Sequence, residues 1–134
     1  MLTVNELRIN NLILVPGVKY KVDIIVGIRV SSTEDEVLLA HEGWKKIKYL
    51  EPISLDTELL TIFEFYPNND HTYYEGRDFS LKHNQATGEF YYERMQIKYV
   101  HELQNLHFEL FGHELPLYTS GDPQVINLEA FSRR

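Results

Sequence analysis

From Val18 to Val30 an apolar side chain falls at every second position: Val18, Tyr20, Val22, Ile24, Val26, Ile28 and Val30, with Lys19, Lys21, Asp23 and Arg29 between them. A two-residue period is that of a β-strand, whose successive side chains leave opposite faces. One face is therefore expected to be dry and the other mostly wet, as in an antiparallel strand with a core on one side. So long a strand has to bend, and Gly27 is expected to mark a bulge where the sheet curls.

The flanking segments fit around this strand. Leu12 to Val15 precedes it, with Pro16–Gly17 as the turn, and the polar tip Ser31 to Glu36 leads on to short strands at Val37 to Ala40 and Trp44 to Leu50. Four antiparallel segments over residues 4 to 50 predict a small curled antiparallel sheet or barrel. After Pro52 a short helix is expected, with Asp56 as its N-cap and Leu55 and Leu60 as a hydrophobic staple, ending near Phe65 to Pro67. Residues 72 to 98 return to a β pattern and predict a three-stranded meander through Tyr73, Tyr74, Phe79, Leu81, Phe90, Tyr92 and Ile97.

A second helix is predicted from Tyr99 to Phe111, stopped by Gly112. Tyr99, Val100, Leu103, Leu106, Leu110 and Phe111 form one stripe, which should lie against the sheet. The fold class is thus α+β. At 134 residues the chain suits one domain, expected over residues 1 to 115 with a shared core, and residues 116 to 134 form an extension, docked or mobile.

Charge and composition narrow the partners. Thirteen Lys and Arg against 20 Asp and Glu give a net charge of −7, which disfavours nucleic acid and anionic membrane surfaces at long range. With no cysteine there is no disulfide, no thiolate nucleophile and no Cys-ligated metal. The opening MLTVNELRINN lacks the basic start and apolar run of a signal peptide, and no stretch approaches the roughly 18 apolar residues of a membrane span. A cytoplasmic location is expected, with no cofactor. A protein partner or self-association is expected from the 13% aromatic share, because adjacent aromatics on a strand put one ring on each face.

ELRINNL at residues 6 to 12, PISLDTELLTIFEF at 52 to 65 and IKYVHELQNLHFELFGHEL at 97 to 115 resemble, in the same order, segments of a family of small uncharacterised proteins from Bacteroidetes genomes and prophage-like regions. The third segment is the most distinctive. The resemblance implies a phage or mobile-element setting and no particular activity. Asn10 stands where that family tends to have Gly, and Asn is the residue next best able to take a positive φ.

No catalytic or metal constellation stands out. His101-Glu102-Leu103-Gln104-Asn105 begins like the zinc-protease motif HExxH, but Asn105 occupies the place of the second His. His101, His107 and His113 are spaced six apart, about 240° at about 100° per residue, which excludes chelation by a continuous helix. The glycines are scattered singly, so no phosphate-binding loop exists. The surface candidates are Trp44, Lys46, Lys48 and His101. Trp44, Lys46 and Lys48 share one parity of a strand and would suit base stacking beside phosphate contacts; the plainer reading is an edge strand guarded by lysines. Three readings follow: a non-enzymatic binding or protein-interaction module, a nucleic-acid-binding accessory protein using Trp44 to Lys48, and a hydrolase using His101.

Overall fold

The computed structural model describes residues 2–18 and 21–115, so the expectation for residues 116 to 134 lies outside the described residues. In chain order the elements are a 3-10 turn at Val4–Glu6, strands β1 (Leu12–Leu14), β2 (Val22–Arg29), β3 (Glu36–Leu39) and β4 (Gly43–Lys46), and a second 3-10 turn at Ile47–Tyr49. Helix α1 (Thr57–Ile62) follows, then β5 (Tyr66–Pro67), β6 (Tyr73–Glu75), β7 (Ser80–Asn84), β8 (Glu89–Tyr92), β9 (Met95–Ile97) and helix α2 (Val100–Phe111). The fold is α+β. The described residues divide into two compact units, one made of the chain up to Ile53 with Val100–Glu114, the other of Ser54–Tyr99 with Leu115. Each unit contains one open antiparallel sheet, ordered β1-β2-β3-β4 in the first and β5-β6-β7-β8-β9 in the second. The first unit thus contains the expected antiparallel sheet, but neither sheet closes into a barrel.

In the first unit β2 is an interior strand, and its alternation differs from the expected one. The register runs Leu12↔Ile24, Ile13↔Asp23 and Leu14↔Val22 against β1, and Ile25↔Leu39, then Gly27↔Leu38 and Ile28↔Val37 against β3. Val26 is an extra residue, a β-bulge, and it is 43% exposed. The core face consequently reads Asp23, Ile25 and, past the bulge, Ile28; Asp23 and Ile25 are fully buried. The sequence placed Asp23 on the wet face and Val26 on the dry one. One inserted residue shifts a two-residue period by a whole face, so the expected phase holds from Ile28 on, past the bulge, and is reversed over Asp23 to Ile25 before it. With them pack Leu2, Leu7, Ile13, Val15, Val37, Leu39, Ile47 and Leu50.

Asp23 is buried because it organises the β3–β4 turn. Its carboxylate accepts the main-chain N–H of Ile24 at 2.8 Å, of His41 at 3.1 Å and of Glu42 at 3.0 Å, and lies 3.0 Å from His41 Nδ1. A buried carboxylate persists when its lone pairs are filled this way.

The second unit begins with the capped helix. Asp56 Oδ1 accepts the N–H of Leu59 at 2.8 Å, and Leu55, Leu59 and Leu60 are buried, as a capped and stapled helix start requires. The meander has five strands rather than three: Tyr66–Pro67 adds one at its start, and Glu93, at φ +55, breaks the run from Phe90 to Ile97 into a hairpin. Pairing sends Tyr74, Leu81, His83, Phe90 and Ile97 to the inner face. Their rings meet edge to face, Phe79 with Phe65 and with Tyr92, and Tyr74 with Phe90, at centroid distances of 5.3, 5.6 and 5.7 Å.

Asp23→Ala strands three main-chain N–H groups and is expected to lower stability by about 2 kcal/mol or more, whereas Asp23→Asn, which keeps one acceptor oxygen, should cost less. Urea unfolding of the three proteins checks this; equal stability of wild type and the alanine variant would remove Asp23 from its organising role.

Candidate functional site

Two of the residues singled out from the sequence share a sheet face. Register pairs Leu38 with Trp44 and Glu36 with Lys46, so on the outer side of the first unit's sheet one row runs Gly27, Leu38, Trp44 and the next Arg29, Glu36, Lys46. Trp44 is 42% exposed, and the Arg29 guanidinium stacks on its ring at 4.2 Å. Gly27 lies closest to Leu38: a Cβ there would stand at a tight 3.2 Å from Leu38 and at an ordinary contact distance of 3.8 Å from Trp44. The strand ends at Lys46. Lys48 reaches the same neighbourhood from the 3-10 turn, through a shared anion rather than through strand alternation.

That anion is Glu34, in the polar tip between β2 and β3. Its two oxygens lie 2.7 Å from Lys46 Nζ and 2.6 Å from Lys48 Nζ. The hydrogen bonds from Lys46 and then Lys48 hold the Glu34 carboxyl below the usual glutamate range, and Glu34 in turn raises both ammonium groups. Arg29 and Glu36 pair beside them at 2.8 Å. The two lysines are thus half-neutralised by one carboxylate. A cleft of about 280 Å³ lined by Leu2, Thr3, Val4, Glu34, Lys46 and Lys48 adjoins this cluster. It falls just under the roughly 300–1,000 Å³ of ordinary small-molecule sites.

His101 belongs to a different cluster of the same unit. Its ring is 1% exposed, and its Nε2 lies 3.1 Å from Glu6. Asn105, which displaced the second histidine of the protease pattern, donates to the Glu6 carbonyl at 2.9 Å and accepts from Asn11 at 2.8 Å and from Arg8 Nε at 3.1 Å. Arg8 forks onto Glu114 and stacks on Phe108 at 4.3 Å. Burial pushes the Glu114 carboxyl up, but the hydrogen bonds and charge of Arg8, with Asn10, outweigh it and leave the group below the usual range. Gln104 completes the cluster: its Oε1 accepts the N–H of Leu12 at 2.8 Å and its Nε2 donates to the carbonyl of Asn10 at 3.0 Å. That carboxamide does for β1 what a neighbouring strand would do. Nothing in residue spacing alone pairs positions so far apart in the chain.

The expected helix stripe holds only in part. Val100, Leu103 and Leu106 are buried, but so are His101, Gln104 and His107, while Leu110 and Phe111 are 41% and 39% exposed. The buried arc of α2 is therefore rotated toward its polar residues, because the N-terminal segment presents main-chain groups and side chains that require polar partners.

In the second unit the outer face of the meander carries the tyrosines that the inner face leaves over. Pairing aligns Tyr73, Lys82, Tyr91 and Gln96 in one row across β6 to β9, and Tyr66, Glu75 and Ser80 in the next. Tyr66 is 53% and Tyr73 44% exposed. Desolvation and then the neighbouring Glu89 carboxylate hold the Tyr91 hydroxyl above the usual tyrosine range.

No family model, curated protein or solved structure matches this chain. Among the described residues, no helix is long and apolar enough to cross a membrane.

Replacing Gln104 by Ala orphans the N–H of fully buried Leu12, and an unmet buried donor costs about 1–3 kcal/mol. Hydrogen exchange at the Leu12 amide should accelerate accordingly, ahead of the Ile25 amide; unchanged protection would show the carboxamide to be dispensable. A second expectation concerns Glu34. A carboxylate with a lowered pKa stabilises the fold above its ordinary pKa of about 4.3 and loses that contribution as pH falls through the folded value. The stability difference between wild type and Glu34→Gln should therefore be present at neutral pH and vanish in acid, and Lys46→Ala with Lys48→Ala should return the Glu34 carboxyl titration, followed by NMR, to the ordinary range.

Proposed function

We propose that the protein is a cytoplasmic, non-enzymatic protein-interaction module whose contact surface is the outer face of the second unit's sheet. The observation that carries this reading is the tyrosine row: Tyr66, Tyr73 and Tyr91 stand outward on paired strands, with Lys82, Gln96 and Glu75 between and beside them. Tyrosines on a sheet are rigid, offer a large apolar area with a hydroxyl at the tip, and lose little conformational entropy on contact, which is why interfaces are enriched in them. The interspersed charged and amide groups supply the hydrogen bonds that set register with a partner. The absence of cysteine suits a reducing compartment. The phage or mobile-element setting rests on the resemblance of residues 6 to 12, 52 to 65 and 97 to 115.

The competing readings have less support. For nucleic acid, Lys46 and Lys48 are already engaged by Glu34, the Trp44 face is occupied by Arg29, and the net charge is −7. For hydrolysis, His101 is 1% exposed, which denies a substrate access to its ring.

The test compares the full chain with a Tyr66→Ser, Tyr73→Ser, Tyr91→Ser variant whose circular dichroism matches wild type. Light scattering after size exclusion reads self-association, and affinity capture from a native host reads other partners. The proposal expects at least one of these signals in the wild type and its loss in the variant. A wild-type protein that is monomeric and captures nothing, or a variant that behaves identically, overturns it.

A further inference from the structure

The cleft beside Glu34 combines an apolar floor with charges of both signs, and the described residues that line it all belong to the first unit. Leu2 and Ile47 are buried members of that unit's core and Val4 packs against it, so the floor continues the core. Lys46 comes from the end of β4, Lys48 from the 3-10 turn that follows, and Glu34 and Asp35 from the tip between β2 and β3. At about 280 Å³ the space suits a ligand smaller than drug-sized ones.

Glu34 shows what the lysine pair is shaped to hold. One of its oxygens lies 2.7 Å from Lys46 Nζ and the other 2.6 Å from Lys48 Nζ, so the two ammonium groups stand one carboxylate apart. Such charge-assisted contacts suit any carboxylate that reaches the same place. The main chain around Glu34 is fixed separately: its N–H bonds to Ser31 Oγ at 3.0 Å, and the Ile47 N–H bonds to the Asp35 carbonyl at 3.1 Å. The carboxylate can therefore leave the lysines by side-chain rotation, without moving the tip.

A ligand carboxylate that takes this place deprives Glu34 of its countercharges, and a simple anion would also meet the freed carboxylate and that of Asp35, which lines the same cleft. A positive group on the ligand removes that cost. In a free α-amino acid the ammonium sits on the carbon that bears the carboxylate, so seating the carboxylate on Lys46 and Lys48 brings the ammonium into reach of the displaced Glu34. Opposite charges then stay paired through the exchange. The side chain leaves the same carbon, and an aliphatic one gains by covering the apolar floor.

We propose that this cleft binds a free α-amino acid with an aliphatic side chain: its carboxylate replaces Glu34 between Lys46 and Lys48, its ammonium pairs with Glu34, and its side chain covers Leu2, Val4 and Ile47. The C-terminus of a peptide fits less well, because an amide stands there in place of the ammonium. The site lies in the unit that does not carry the tyrosine row, so it is independent of the protein contact proposed above.

Titration of the isotopically labelled full chain with L-leucine, followed by NMR amide shifts, tests the site. Saturable shifts are expected at Val4, Asp35 and Ile47. Isocaproate, which is leucine without its amino group, should bind roughly tenfold or more weakly, because a charge-assisted contact is lost. Lys46→Ala with Lys48→Ala, both at exposed positions, should weaken leucine by at least as much, while Lys21→Ala, exposed and outside the cleft, should leave it unchanged. Glu34→Gln supplies a gain that misfolding cannot mimic: with the lysines released, isocaproate should bind more tightly than to wild type, and the advantage of leucine over it should shrink. The proposal is overturned by the absence of saturable leucine shifts, by equal binding of leucine and isocaproate to wild type, by undiminished leucine binding in the double lysine variant, by a loss as large in Lys21→Ala, or by no gain for isocaproate in Glu34→Gln.

Discussion

The first unit depends on one side chain standing in for a strand. β1 is an edge strand of three residues, and its Leu12 is fully buried, so the main-chain groups along its outer side have no water to turn to. The Gln104 carboxamide takes the Leu12 N–H and the Asn10 carbonyl, and two positions on the Leu14 N–H and C=O exchange hydrogen bonds with Glu51 at 2.9 and 3.0 Å. A helix normally meets a sheet through apolar side chains. Here it must present an amide at one defined place, and that requirement fixes both the rotation of α2 and the path of the segment leading into β1.

The rest of the polar cluster follows from the same requirement. Asn10 takes φ +80, and its N–H bonds to the Ile25 carbonyl while its own carbonyl turns to Gln104. Asn11, fully buried, receives the Arg8 N–H and gives its amide to Asn105. Each group is satisfied by the next, so the set acts as a unit: a partly satisfied network in a low-dielectric interior is costlier than none. The residues concerned lie in ELRINNL and in HELQN, within two of the three stretches on which the resemblance rests. What those stretches have in common physically is mutual hydrogen bonding, which is a demand of folding and need not report a reaction.

Local signals in the sequence were legible because their physics is local. Asp56 caps a helix through a main-chain group three residues on, Gly112 reverses the chain through its own φ, Asn10 takes the left-handed turn, and Gly27 borders the bulge. Each needs only neighbours within a few positions. The phase of β2 before Val26 was not legible, because the bulge that changes it is set by pairing with β3 and leaves Val22 to Val30 alternating in sequence. Asp23 was misassigned for the same reason: its partners are the main-chain amides of a turn 18 and 19 residues away, which carry no residue signature at all. The split of the meander at Glu93 was hidden because a non-glycine residue supplies the positive φ.

The candidate surface was legible in membership and not in chemistry. Parity correctly joined Trp44 and Lys46 on one face, but their electrostatic state depends on Arg29, Glu34 and Glu36, which arrive across two hairpin connections. An isolated lysine pair beside a tryptophan invites a polyanion. The same pair sharing one carboxylate would first have to release Glu34, and a polyanion brought close would repel the freed carboxylate, so the arrangement favours partners that are themselves of mixed charge. On the outer face of the second unit Lys82 lies between Tyr73 and Tyr91, Glu89 stands beside the Tyr91 hydroxyl, and Tyr66 and Tyr73 are exposed. Of the two outward faces, the one built from tyrosine therefore loses less on contact with another protein, since it exchanges hydration of rings and hydroxyls and breaks no ion pair of the kind that holds Glu34.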